Sequence, residues 1–279
     1  MRTAVAIARA ALRRGPVALA YHSVGDSPVE HDPEFLRVCP SRFRQQLELL
    51  VAAGGAFTTV TELAAKVRER RSTAGDVVVT FDDGYQDNHE IALPIMRELG
   101  VTGTVFVATG LIGRPSPWMS ERAGIRMMET HELRELAAAG VELGAHTVTH
   151  PDLTTVDPAV CAREVADSKS ELEAVIDQPV TSFAYPYFHY DEQVRSVVEA
   201  SGFEAAVAGL GAGSPDDTLA LPRVLVTGKD GLPSFAARIA GVYDPLFQSR
   251  AGTLARGATR PLRRLARGAM ERRRWRSAA

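Results

Sequence analysis

The order of elements in this 279-residue chain predicts a parallel α/β fold, with a barrel as the form that gathers its βα loops at one face. Two observations carry that expectation. Apolar, β-branched runs such as Val77–Val79 and Val105–Val107 do not alternate with polar residues, as in strands buried on both faces. Helical stretches closed by glycines separate these runs, and two of the runs end abruptly in carboxylates or histidines, where a parallel sheet opens its ligand crevice.

Taken in order, Val17–Tyr21 is the first predicted strand and runs directly into His22 and Ser23. A loop rich in Pro and Asp follows from 25 to 40. Ser41 is then expected to cap a helix that stops at Gly54–Gly55. Phe57–Val60 reads as a short strand and Thr61 as the start of a helix through Arg70; Val77–Phe81 is the strand that delivers Asp82, Asp83 and Gly84. A helix around Ile91–Leu99 ends at Gly100, and Thr104–Ala108 is a strand. The loop from Gly110 to Arg126 is long enough to suggest a functional role. Thr130 is expected to cap a helix through Ala139, and the strand Val141–Ala145 ends at His146. Pro158–Ile176 and Glu192–Ala200 read as helices, with strands near 181–185, 203–208 and 223–226.

Composition is that of an ordinary globular protein, with a net charge of −2. No apolar run approaches the ~20 residues of a membrane-spanning helix. Met1–Pro16 is apolar but broken by Arg9, Arg13 and Arg14. It does not read as a signal peptide, and the expected location is cytoplasmic. Cys39 and Cys161 lack ligand-type spacing and read as structural thiols, with a disulfide the alternative. The near-neutral total hides an asymmetry: between Arg250 and Arg276 there are ten arginines and one acid, Glu271, with Leu254, Leu262, Leu265, Met270 and Trp275 interspersed. Such a segment suits peripheral contact with an anionic membrane or an unstructured tail. Nucleic acid is the weakest of its candidate partners, since the rest of the chain offers no basic motif to support it.

The chemistry concentrates at two strand ends. Asp82 and Asp83 are adjacent carboxylates that cannot be buried without a cation, strong donors or solvent, although Asp-Gly also opens turns. His146 and His150, four apart, would share one side of a helical turn and reach a single metal ion. With one of the aspartates they make a two-histidine, one-carboxylate set that leaves coordination positions open for water and substrate. Zinc is the default occupant of such a set, and nickel, cobalt or iron suit the same ligands.

Phe81-Asp82-Asp83-Gly84-Tyr85, His146-Thr147-Val148-Thr149-His150 and Phe183-Ala184-Tyr185-Pro186-Tyr187 resemble, in order and spacing, the three successive motifs of the polysaccharide deacetylases, the NodB-homology enzymes of carbohydrate esterase family four. The resemblance runs from about Val17 to Val226. It implies an irregular (β/α)7 barrel over residues 17–245, flanked by an N-terminal segment, 1–16, and the basic tail, 246–279. It further implies hydrolysis of N-acetyl groups on an amino-sugar glycan or a lipid- or nucleotide-linked sugar. Asp82 would be the general base, Asp83, His146 and His150 the metal ligands, and the backbone N–H of Tyr187 an oxyanion donor, with Tyr185 and His189 facing substrate.

The chain also departs from that pattern. Many members carry an arginine early in the third motif that orients the base, and here Ala184 or Tyr185 stands in its place. The late Leu-x-His motif that supplies the acid is absent. Tyr21-His22-Ser23-Val24 resembles the opening motif of the circularly permuted poly-N-acetylglucosamine deacetylases, which makes His22 the expected acid. The departures leave two other readings open: a metal-dependent amidohydrolase of a small non-peptide C–N bond, and a glycan-binding protein without turnover. His31, His89 and His131 read as surface or capping residues.

Overall fold

Val17–Tyr21 (β1) and Asp76–Phe81 (β5) are buried along their whole lengths and pair in parallel, Tyr21 opposite Phe81; that ladder closes the barrel. In the computed structural model, which describes residues 1–26, 32, 35–118 and 124–241, the elements in chain order are as follows. Helix α1 (Arg2–Leu12) precedes β1, and the short strands β2 (Ser23–Val24) and β3 (Arg37–Val38) pair with each other. Then come α2 (Pro40–Ala53), β4 (Ala56–Thr58), α3 (Val60–Arg68) and β5. A π-helical turn (Asn88–Ala92) leads into α4 (Leu93–Glu98), followed by β6 (Thr104–Val107), α5 (Thr130–Ala138), β7 (Glu142–Ala145) and α6 (Pro158–Ile176). The chain continues through β8 (Ser182–Ala184), α7 (Glu192–Ala200), β9 (Ala205–Gly209), β10 (Leu221–Leu225) and α8 (Leu232–Ile239).

The sheet runs β1-β10-β9-β8-β7-β6-β5 and back to β1, a closed parallel barrel of seven strands, with the short β4 pairing in parallel with Asp76–Val78 at the start of β5. Two apolar layers hold it. The inner one combines small strand residues, Ala18, Ala184 and Ala205, with Val78, Val207 and Phe106, and is closed by Val60, Leu63 and Ala64 of α3. The outer one packs the helices against the barrel wall. Gly144 is required by this packing: a Cβ there would lie 2.5 Å from the Phe106 ring and 2.6 Å from the Ser182 hydroxyl.

Three helices begin earlier than the side-chain signals predict. Pro40 takes the first helical position of α2, so Cys39 is the cap and Ser41 lies inside. Thr59, not Thr61, caps α3, because Glu62 three residues on completes a capping box with it. Glu129 and Glu132 do the same for α5, which places Thr130 within the helix. The N-terminal segment is α1, whose Ala4, Ala8, Ala11 and Leu12 are buried, and Met1–Ala240 form one compact unit. Cys39 and Cys161 are both free thiols. No helix among the described residues is long and apolar enough to cross a membrane. The basic tail and His31 lie outside the described residues.

Candidate active site

The carboxyl ends of β1, β5, β7 and β8 deliver His22, Asp82–Asp83, His146 and Tyr185–Tyr187 in turn. The Asp82 amide donates to the Tyr21 carbonyl at 2.9 Å, so His22 and Asp82 leave neighbouring strands at one level. Getting the side chains into place requires unusual backbone. Asp83, Thr147, His150, Tyr187 and Phe188 all have φ between 58° and 75°, the left-handed region that costs non-glycine residues, a β-branched threonine most of all. His146 and His150 therefore sit on an irregular loop rather than on the helical turn their spacing suggests; Thr147 turns the chain, and its Oγ1 accepts from the His150 amide at 3.0 Å.

Asp83, His146 and His150 are buried and meet at a point. Asp83 Oδ1 lies 3.5 Å from His146 Nε2 and 3.3 Å from His150 Nε2, and the two Nε2 atoms are 3.2 Å apart. Tetrahedral bonds of about 2.0–2.2 Å would separate the donors by roughly 3.3–3.6 Å, so the triangle has the dimensions of a metal site. Asp83 Oδ1 is buried and has no hydrogen-bond partner among the described residues, which is costly for a carboxylate unless a cation meets it. His146 Nδ1 lies 2.7 Å from the Ala184 carbonyl; donating there leaves the Nε2 lone pair facing the triangle. Burial pushes His150 down to about 3, so its ring is neutral, the form in which an imidazole can bind a metal. Burial also works against the charged form of His146, but the Asp83 and Asp82 carboxylates outweigh it and leave that imidazole raised. Trp118 and Tyr187 each stand edge-on to His150, at 4.7 Å between ring centres.

Asp82 lies outside the triangle and has a different partner. Arg223, on β10 and fully buried, donates Nη1 to Oδ1 at 2.6 Å and Nη2 to Oδ2 at 2.9 Å. Nη1 also reaches Thr80 Oγ1 at 2.7 Å, and the guanidinium lies between the rings of Phe106 and Phe188. Burial raises the Asp82 carboxyl, but the Arg223 charge, with His146 and His22, outweighs it and holds the group below the usual carboxylate range. An arginine absent from the third motif thus stands against Asp82 from β10 instead. Its one sequence signal is a charged residue in the apolar run Leu221–Leu225.

His22 is buried and close enough to Asp82 and Asp83 to stabilise both of their charges. Its ring stands edge-on to Phe188 at 6.5 Å, and its Nδ1 has no hydrogen-bond partner among the described residues. Tyr185 corrects an expectation: it is fully buried in the outer core, its hydroxyl donates to the Leu219 carbonyl at 2.8 Å, and its ring stacks on Tyr190, so it does not face substrate. Its motif position alternates inward and outward along β8, and the outward side won. His189 Nδ1 pairs with Asp152 Oδ2 at 2.8 Å, tying the loop after His150 to the loop that carries Tyr187. His89 pairs with Glu135 at 2.9 Å, and the exposed His131 lies 3.5 Å from Glu129.

The carboxyl rim of the closed (β/α)7 barrel brings two aspartates and two histidines together, with Asp83, His146 and His150 close enough to hold one metal ion. The family model for polysaccharide deacetylase matches residues 69–206. The chain is 28% identical over 228 residues to the Bacillus subtilis polysaccharide deacetylase-type protein YxkH, covering 81% of this chain and 74% of that one. To the poly-beta-1,6-N-acetyl-D-glucosamine N-deacetylase of Staphylococcus aureus it is 22% identical over 176 residues, covering 60% of this chain and 59% of that one. Among solved structures, the Streptococcus pyogenes deacetylase PplD in complex with acetate superposes with a TM-score of 0.69 at 25% identity, over 83% of this chain and 99% of that one. The chain belongs to the polysaccharide deacetylase family and is a hydrolase acting on carbon–nitrogen bonds.

Proposed function

We propose that the protein is a metal-dependent deacetylase that removes N-acetyl groups from an amino-sugar glycan, or from its lipid- or nucleotide-linked precursor, and releases acetate. The observation that carries this reading is the division of labour between adjacent aspartates: Asp83 faces the two histidines at ligand spacing, while Asp82 is paired with Arg223 and stays out of the triangle. The staphylococcal relative supports an N-acetylated glucosamine polymer as the substrate class. When bound, a divalent ion supplies Lewis-acid polarisation of an acetamide carbonyl and makes a water easier to deprotonate.

In this reading Asp82, ionised and aimed by the guanidinium, takes the proton of the attacking water. His22 gives a proton to the amine nitrogen as the C–N bond breaks, so the sugar leaves as a neutral amine. The Tyr187 amide is the donor offered to the developing oxyanion. The basic tail adds peripheral attachment to an anionic membrane surface, supported by its ten arginines against one acid.

Metal analysis paired with acetate release from N-acetylated glycans tests the reading. Asp83→Ala, His146→Ala and His150→Ala are each expected to lose bound metal. Asp82→Asn is expected to keep it and lose about 10²–10⁴-fold in turnover. Unchanged metal stoichiometry in all three ligand variants, or wild-type turnover in Asp82→Asn at saturating metal, overturns it.

A further inference from the structure

The loop that carries Asp82 and Asp83 continues into Asp87 and Asn88, at the start of the π-helical turn, and both side chains are buried. Among the described residues neither hydrogen-bonds to Asp83, His146 or His150. They reach across instead to the segment that leaves β1. Asn88 Nδ2 donates to the carbonyl of His22 at 2.8 Å. The Ser23 hydroxyl donates to Asp87 Oδ2, and the Val24 amide donates to Asp87 Oδ1 at 3.0 Å. Asn88 Nδ2 also lies 3.2 Å from Asp87 Oδ1, so the two side chains brace one another. From β3, Arg37 Nη2 approaches Asp87 Oδ2 at 3.5 Å. Three consecutive residues, His22 among them, are thus held by two consecutive residues of the aspartate loop.

The ring of His22 has little else to fix it. With Nδ1 unbonded and Phe188 edge-on at 6.5 Å, its direction is set chiefly by the backbone from which it springs. A buried carboxylate is also an expensive way to pin a two-residue strand, which an apolar contact could do. Burial pushes Asp87 up to about 6 even with donors from Ser23, Val24 and Arg37 around it. π-Helical turns are frequent at functional sites. We propose that Asp87 and Asn88 are positioning residues for His22, fixing its backbone so that the imidazole is held against the Asp82–Asp83 pair of the same loop. The inference rests on the reading of His22 as the proton donor, and it links the donor and the base through one stretch of chain.

The test is a double-mutant cycle on the metal-loaded full chain, with a β-1,6-linked N-acetylglucosamine oligomer as the probe. Asp87→Asn and Asn88→Ala are each expected to lower kcat by about 10–100-fold, the order that small misplacement costs, with KM and metal content within about twofold of wild type. In a His22→Ala background neither should lower kcat further, because both act through that ring. Should Asp87→Asn fail to fold, Asn88→Ala carries the test alone. Losses that multiply with that of His22→Ala, or an unchanged kcat in folded Asn88→Ala, overturn the positioning role. A second readout needs no turnover: in protein with labelled histidine, Asn88→Ala should displace the His22 ring resonances and leave those of His146 in place. His22→Ala with wild-type kcat would sink the proton-donor reading instead, and undisturbed His22 resonances in Asn88→Ala would sink this one.

Discussion

Asp82 owes its orientation to one residue, and that residue is buried without any route to solvent. Arg223 meets both carboxylate oxygens and also Thr80, with its side chain fully inaccessible. Removing one member of such a pair leaves the other charge uncompensated in the barrel interior, at a cost of about 3–5 kcal/mol. Arg223→Met is therefore expected to shift the denaturant midpoint by that order and to abolish most turnover. Adding Asp82→Asn to it should restore part of the stability and none of the activity. Arg223→Lys should rescue little, because an ammonium cannot make the two parallel bonds. If Arg223→Met unfolds at the wild-type midpoint, the pair is not the strut described. The same residue removes the motive for a non-catalytic reading, which drew on the absence of an orienting arginine.

At the scale of elements, helix caps and side-chain ties fasten the helices and loops around the barrel that the β1–β5 ladder closes. Helix α3 enters the barrel bottom through the Thr59–Glu62 capping box and inserts Val60, Leu63 and Ala64. Helix α7 is tied to the loop before β10 by Arg195, whose Nε and Nη2 donate to Asp217 Oδ2 and Oδ1 at 2.9 and 3.0 Å. The bond from Arg195 is the main reason the Asp217 carboxyl lies below its ordinary value. A depressed carboxyl binds fewer protons folded than unfolded just below its ordinary pKa, so its contribution is present above about pH 4 and is lost as the pH falls through the depressed value. Asp217→Asn is expected to cost up to about 1 kcal/mol at pH 7, since the pair is partly exposed, and nothing at strongly acid pH. Denaturant titrations of both proteins at pH 7 and at about pH 2 measure this. A gap of the same size at both would show that the ion pair is not its source.

Over the whole molecule, charge is divided. Ten arginines and one glutamate place +9 between Arg250 and Arg276, so the remainder carries −11 where the whole chain carries −2. Attraction to an anionic surface is then expected to belong to the tail and not to the barrel that carries the site. Truncation after Pro245 should leave acetate release on a soluble substrate nearly intact and reduce co-sedimentation with phosphatidylserine vesicles, most strongly at low salt. Equal sedimentation of the full-length and truncated chains would dismiss the membrane role.

The sequence by itself determined the parts of this protein that depend on local pattern. Unalternated apolar runs mark both-face-buried strands, and β1 and α6 start and stop where glycine, proline and polar residues end the pattern. Asp82, Asp83, His146 and His150 are visible because carboxylates and imidazoles at the ends of buried strands have few other uses. Tertiary structure alone decided what requires distant segments to meet. Arg223 meets Asp82 across 141 positions, a pairing that exists only because β10 lies beside β1 and β1 beside β5 once the barrel closes. Tyr185 looks like a site residue in its motif, yet a strand directs successive side chains to opposite faces, and the face it occupies points into the outer core. The brace from Asp87 and Asn88 to His22 is of the same kind: each residue is an ordinary loop polar until the adjacency of β1 and β5 brings them within hydrogen-bond reach.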